Sequence, residues 1–84
     1  MLTFLYFAWV RERIGTGEER LSPPAGMTTV TALLDWLATR SPGHAAALAD
    51  RGAIRVAVDQ AFVAMAAPVP PGAEVAIFPP VTGG

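Results

Sequence analysis

At 84 residues, 52% of them hydrophobic and 15% charged, the chain is one small domain and too apolar to be disordered. Its formal charge of −1, with Arg but no Lys, leaves no basic stripe for phosphates and argues against a nucleic-acid partner. The lack of Cys excludes a disulfide framework, a thiolate metal site and sulfur carried on a thiol, and fits a cytoplasmic protein.

A domain of this size buries only about 60–65% of its unfolded surface, so a deep enclosed active site is not expected. The apolar surplus is instead expected to form a partner-binding patch.

The first apolar run, Leu2 to Val10, lacks a basic n-region and runs into Arg11-Glu12-Arg13. It is neither a signal peptide nor long enough to cross a bilayer, so the chain is expected to be unprocessed and to have no membrane partner. Within it, Leu2, Phe4 and Tyr6 alternate with Thr3, Leu5 and Phe7, as in a central strand apolar on both faces. A short helical turn from Val10 to Ile14 stops at Gly15. Glu18 to Leu21 forms a brief second strand, followed by the loop Ser22-Pro23-Pro24-Ala25-Gly26.

Thr28 or Thr29 caps a helix whose apolar positions Val30, Leu33, Leu34 and Leu37 follow the i, i+3, i+4, i+7 rule, and which ends before Ser41-Pro42-Gly43. His44 to Asp50 adds a further turn or two. Ile54, Val56 and Val58 alternate with Arg55 and Ala57 in a half-buried strand, and Asp59-Gln60 is its hairpin turn. A two-residue turn pairs Val58 with Ala61. Ala61 and Val63 then join the core face, while Phe62 falls on the exposed Arg55 side. After the loop Pro68 to Gly72, Val75 and Ile77 alternate with Glu74, Ala76 and Phe78, which puts a second large aromatic on a charge-bearing face. The order gives an α+β class, with a mixed sheet packed on one main helix.

Enzyme templates are missing: there is no G-x-S-x-G, Walker loop or H-E-x-x-H, and only Ser22 and Ser41 could pair with His44. His44, beside Pro42-Gly43, reads as an exposed bystander, and Gly15-Thr16-Gly17 as a simple turn. Pro68-Val69-Pro70-Pro71 reads as a stiff loop, Arg11-Glu12-Arg13 as a solvated helix face, and Trp9 and Trp36 as core or core-edge packing. The remaining candidate is the ending Phe78-Pro79-Pro80-Val81-Thr82-Gly83-Gly84, in which prolines stiffen the exit from the last strand and glycines close the chain. Six residues reach roughly 20 Å when extended, enough to enter another protein's active site. A Gly-Gly ending alone is more often a frayed terminus, and Phe7, Phe62 and Phe78 alone are more often core residues.

Three stretches, Phe7 to Gly15, Val56 to Gln60 and Gly72 to Gly84 with its Phe-Pro-Pro-Val-Thr-Gly-Gly run, resemble the molybdopterin synthase small-subunit (MoaD) family. Asp59 stands where that family often has Asn, and Trp9 where a polar residue is common. The resemblance implies a ubiquitin-like β-grasp domain over residues 1–78 and a flexible tail over 79–84. It implies that Gly84, preceded by Gly83, becomes an acyl-adenylate and then a thiocarboxylate. Phe7, Phe62 and Phe78 with Pro79, Pro80, Val81 and Thr82 would bind partners. Those partners would be the large synthase subunit in a heterotetramer, an adenylating enzyme of the ubiquitin-activating (E1-like) class, and a sulfurtransferase. No cofactor is expected on this chain, since ATP is used by the activating enzyme. A ubiquitin-like modifier, or a carrier serving thiamin, cysteine or tRNA thiolation, are the alternatives, and the lack of Lys favours carriage over chain-forming tagging.

Overall fold

The structure, a computed structural model, describes residues 1–80. Strand β1 (Leu2–Tyr6) leads into helix α1 (Ala8–Ile14) and strand β2 (Glu18–Leu21). Helices α2 (Val30–Ala38) and α3 (Pro42–Ala47) follow, then a 3₁₀ turn (Arg51–Ala53) and strands β3 (Arg55–Val58), β4 (Ala61–Val63) and β5 (Glu74–Phe78). The sheet order is β2-β1-β5-β3-β4. The first and last strands lie side by side and parallel, and the other pairings are antiparallel.

Alternation along the strands decides what is inside. Leu2, Phe4, Tyr6, Val56, Val58, Val75 and Ile77 project to one face, where they join Val10, Val30, Leu33, Leu34 and Leu37 from the helices in a single core. At roughly 1.5–3 kcal/mol for each large apolar side chain buried, this cluster is the main source of stability. The helix expected from periodicity is α2, capped by Thr29, whose hydroxyl accepts the Ala32 N–H at 3.2 Å. The α1 helix ends at Gly15, which adopts φ 98°, a left-handed conformation that an L side chain resists.

Two expectations need correction. The helical turn expected from His44 to Asp50 is α3, which starts earlier, at Pro42, and ends at Ala47. Ser41 caps α3 by accepting the His44 N–H at 3.1 Å, and Pro42 takes the first helical turn, where its missing N–H costs nothing. Ala61 pairs with Val58 as expected, yet it is exposed, because β4 is the edge strand and only Val63 packs against the core.

Helices α1 and α3 meet at Gly43, where an added Cβ would overlap the Arg13 carbonyl oxygen. Gly43→Ala is therefore expected to push the two helices apart. The cost is about 1–3 kcal/mol, the usual range for overpacking, and denaturant unfolding with an unchanged midpoint would contradict the close approach.

The Asp59-Gln60 turn has φ of 48° and 72°, the primed geometry that lets a two-residue hairpin follow the twist of its strands. The Asp59 carboxylate also accepts the Glu74 N–H at 3.0 Å, which ties the turn to the start of β5.

Candidate functional site: an aromatic face at the exit of the last strand

The second face of the sheet carries the other half of the alternation. Its cross-strand row is Leu5, Ala76, Ala57 and Phe62, one from each of β1, β5, β3 and β4. The register places Phe78 opposite Arg55 at the end of the next row. Phe7 immediately follows β1, and its N–H donates to the Ile77 carbonyl at 3.1 Å, which fixes it beside the end of β5.

Phe7, Phe62 and Phe78 therefore converge, although they are far apart in sequence. The Phe78 ring is the middle member: its centroid lies 6.1 Å from Phe7 and 5.3 Å from Phe62, both in edge-on arrangements. Such pairing contributes about 0.5–1.5 kcal/mol beyond area burial and keeps the rings in one orientation. Phe78 is half-buried, whereas Phe7 is 47% and Phe62 67% exposed. Apart from Met1, these two are the large hydrophobic side chains that the described chain leaves open to solvent.

Ala57 and Ala76 are buried, yet neither belongs to the core cluster. They form a low centre between the aromatics on this face. The result is a shallow apolar surface that faces outward, continuous with the point where the chain leaves the sheet. Pro79 and Pro80, the first two residues beyond β5, are half-buried. The expectations for Val81, Thr82, Gly83 and Gly84 lie outside the described residues.

The expectation for His44 was wrong. It is buried on α3, with Nδ1 2.7 Å from the Ser41 hydroxyl and Nε2 2.7 Å from Glu19 Oε1. Ser41 Oγ already accepts the His44 backbone N–H, so its one hydrogen is free to donate to Nδ1, and Nε2–H then faces Glu19. The Tyr6 hydroxyl donates to the same Glu19 oxygen at 2.9 Å.

Burial works to raise the Glu19 pKa, but hydrogen bonds from His44 and Tyr6, together with nearby His44 and Arg40, outweigh it and hold the carboxyl below its ordinary range. Burial, then the hydrogen bond to Glu19 and its charge, push Tyr6 far above the ordinary phenol range. Ser, His and Glu in contact invite comparison with a nucleophilic triad. Here Ser41 Oγ is committed to capping α3, and every buried side-chain polar atom of the described residues has a partner. This network ties β1 and β2 to α3 and does not make a reactive centre. Reading His44 as exposed missed it; the signal is Ser41-Pro42, a helix start that turns His44 inward.

A concavity lies at the other end of the sheet, between Met1, the Pro23–Met27 loop and the Val69–Gly72 loop. It is remote from Phe78, because β1 and β5 run parallel and begin where it lies. Among the described residues, no helix is long and apolar enough to cross a membrane.

The ThiS family model matches residues 4–84. The chain belongs to the ThiS family. This ThiS-family chain is 44% identical over 84 residues to the molybdopterin synthase sulfur carrier subunit of Escherichia coli, covering all of both chains. It is 38% identical, again over the full length of both, to the subunit of the same name from Haemophilus influenzae. The crystal structure of SAMP1 from Haloferax volcanii superposes with a TM-score of 0.75 at 29% identity, covering 99% of this chain and 98% of that one. The five-stranded mixed sheet with its helical layer is the β-grasp fold expected from the sequence.

Proposed function

We propose that this chain is the sulfur carrier subunit of a molybdopterin synthase, docking through Phe7, Phe62 and Phe78 and carrying sulfur on the carboxyl carbon of Gly84. The observation that carries this reading is the pairing of full-length identity to two named carrier subunits with an exposed aromatic face at the exit of the terminal segment.

The chemistry follows from the poor electrophilicity of a carboxylate. An adenylating enzyme joins the Gly84 carboxylate to the α-phosphate of ATP and releases pyrophosphate. The terminal sulfur of a persulfide on a sulfurtransferase then attacks the acyl carbon and expels AMP, and a second thiol attacks the donor sulfur of the resulting acyl disulfide, releasing the thiocarboxylate and leaving a disulfide on the donor. The carrier next enters the large subunit, where its sulfur passes to the pterin precursor and water returns the carboxylate. ATP belongs to the activating enzyme and the pterin to the large subunit, so this chain needs no bound cofactor. It acts in the cytoplasm, as one of two small subunits in a heterotetramer.

Two features support a subunit without catalysis of its own. The described residues present a flat apolar face rather than an enclosed reactive site, and the buried Ser41, His44 and Glu19 are consumed by each other. Glycine at the end suits the role, because it offers an unhindered carbonyl and passes through a narrow channel that would reject side chains.

Intact-mass analysis tests the reading. Incubation with the activating enzyme, ATP and a sulfur source is expected to add the mass difference of one oxygen replaced by sulfur, on the C-terminal peptide. No such shift would overturn the proposal, and isopeptide conjugates on many different proteins would favour a modifier instead. Phe78→Arg places a charge at the centre of the ring cluster. It is expected to raise the Kd for the large subunit at least about thirtyfold, the scale of a hot-spot residue, with a smaller effect on melting than a core substitution.

A further inference from the structure

We propose that the outer sheet face is charged in opposite senses at its two ends, and that Arg55 selects and orients a partner whose surface is apolar at its centre and carries a carboxylate where it meets Arg55. This rests on the carrier reading only in naming that partner, the large synthase subunit.

The register sets out the charges. On β5 and its neighbour β3 the outward sequence is Glu74 with Asp59, then Ala76 with Ala57, then Phe78 with Arg55. Two carboxylates stand at the end where β5 begins, and a guanidinium stands at the end where the chain leaves for its tail. Four residues separate the ends, about 13 Å along a strand, which exceeds the Debye length of about 8–10 Å at physiological salt. A partner in contact therefore meets two distinct charges rather than an averaged one.

The remaining charges on this face do not blur the pattern. Glu18 and Arg20 on β2 share it with Leu5 and Thr3, but they bond each other at 3.4 Å and largely cancel. Arg11, Glu12 and Arg13 lie on α1, which packs against α3 in the helical layer and sends Val10 into the core, so they do not belong to the outer face.

Arg55 is prepared for a carboxylate. It is exposed and makes no ion pair among the described residues. Its Nη1 donates to the carbonyls of Ile54 at 2.9 Å and Gly52 at 3.3 Å, so main-chain oxygens hold the head in place. Nε and Nη2 remain as the parallel donor pair that matches a carboxylate bidentately. With Phe78 opposite it and Phe62 against Phe78, closure of the apolar centre would dry the site and strengthen the pair. An apolar face alone permits several rotations of a partner. A guanidinium at one end and carboxylates at the other permit one, with the tail leaving beside the Arg55 pair.

The test measures association kinetics between this chain and the large synthase subunit of the same organism at low and high salt. Arg55→Glu is expected to slow association about tenfold at about 25 mM salt and less than about twofold at about 500 mM. Arg55→Gln is expected to fall between Arg55→Glu and wild type, and Glu74→Lys to slow binding in the same salt-dependent way. All three are expected to melt with the wild type; should Arg55→Glu not fold, Arg55→Gln and Glu74→Lys carry the comparison. Wild-type kinetics for the Arg55 and Glu74 variants at low salt, with binding abolished by Phe62→Ser, would overturn the charge proposal and leave the aromatic dock standing. Equal slowing at both salts would overturn it too, since packing rather than charge would then be at work. If Phe62→Ser also binds like wild type, the dock and the carrier reading fail with it.

Discussion

Removal of Gly84 alone is expected to abolish thiocarboxylate formation while leaving the melting temperature at its wild-type value. The loss is expected to be complete rather than graded. Adenylation requires the terminal carboxylate to sit at the α-phosphate of ATP in another protein's site, and a shift of one residue, about 3.5 Å, moves the reacting carbon out of attack distance. The new terminus would still be a glycine, so steric hindrance is not the cause; reach is. Stability is expected to be unaffected because the core residues lie between Leu2 and Ile77. Intact mass after incubation with the activating enzyme and ATP, alongside a thermal melt, separates the two effects. A truncated chain that still gains sulfur would move the reactive carbon away from Gly84. A melt lowered as far as by a core substitution would mean that the ending takes part in folding.

The outward placement of Phe62 and Phe78 is legible in the sequence because strand alternation is a strict two-residue rule. Once the Asp59-Gln60 turn was counted as two residues, Val58 had to pair with Ala61, and Phe62 had to turn away from the core. The same parity put Phe78 on the side opposite Val75 and Ile77. Parity could not bring Phe7 to the other two. That contact depends on β1 lying parallel beside β5, a pairing between the two ends of the chain that no local pattern encodes.

His44 was misread for a related reason. A lone histidine beside Pro-Gly reads as exposed, and its burial depends on Glu19 and Tyr6, which reach it from strands more than twenty residues earlier. The edge position of β4 was equally hidden. Ala61 has the parity of a core residue, yet it lies on a strand that has a neighbour on one side only. For Ala61 the pattern within the strand holds, and the surroundings of that strand decide the outcome.

The Tyr6–Glu19–His44–Ser41 chain gives the largest expected loss of stability from a single polar substitution. Glu19→Ala would strip the acceptor from two buried donors at once, the Tyr6 hydroxyl and His44 Nε2. Each buried donor left unsatisfied costs about 1–3 kcal/mol, so the loss is expected to be about 3 kcal/mol and the fall in Tm on the order of 12–24 °C. Glu19→Gln keeps an acceptor and is expected to lose less. The pH dependence distinguishes loss of this carboxylate from general disruption. Because the folded protein holds the Glu19 pKa below its ordinary value, the carboxylate contributes stability that is present above the ordinary carboxylate range and is lost as the pH falls through that range toward the folded value. The gap between wild type and Glu19→Ala is therefore expected to be widest near neutral pH and to narrow as the pH falls below about 4. Tyr6 acts at the other limb: its pKa is raised on folding, so stability is lost as the pH climbs past about 10 and the unfolded phenol ionises. Burial is the largest cause of that rise, so Glu19→Ala is expected to keep most of the alkaline limb while losing part of the acid one. A gap that stays constant from neutral to acid pH would mean that the Glu19 charge contributes nothing, and that the side chain acts only by filling space.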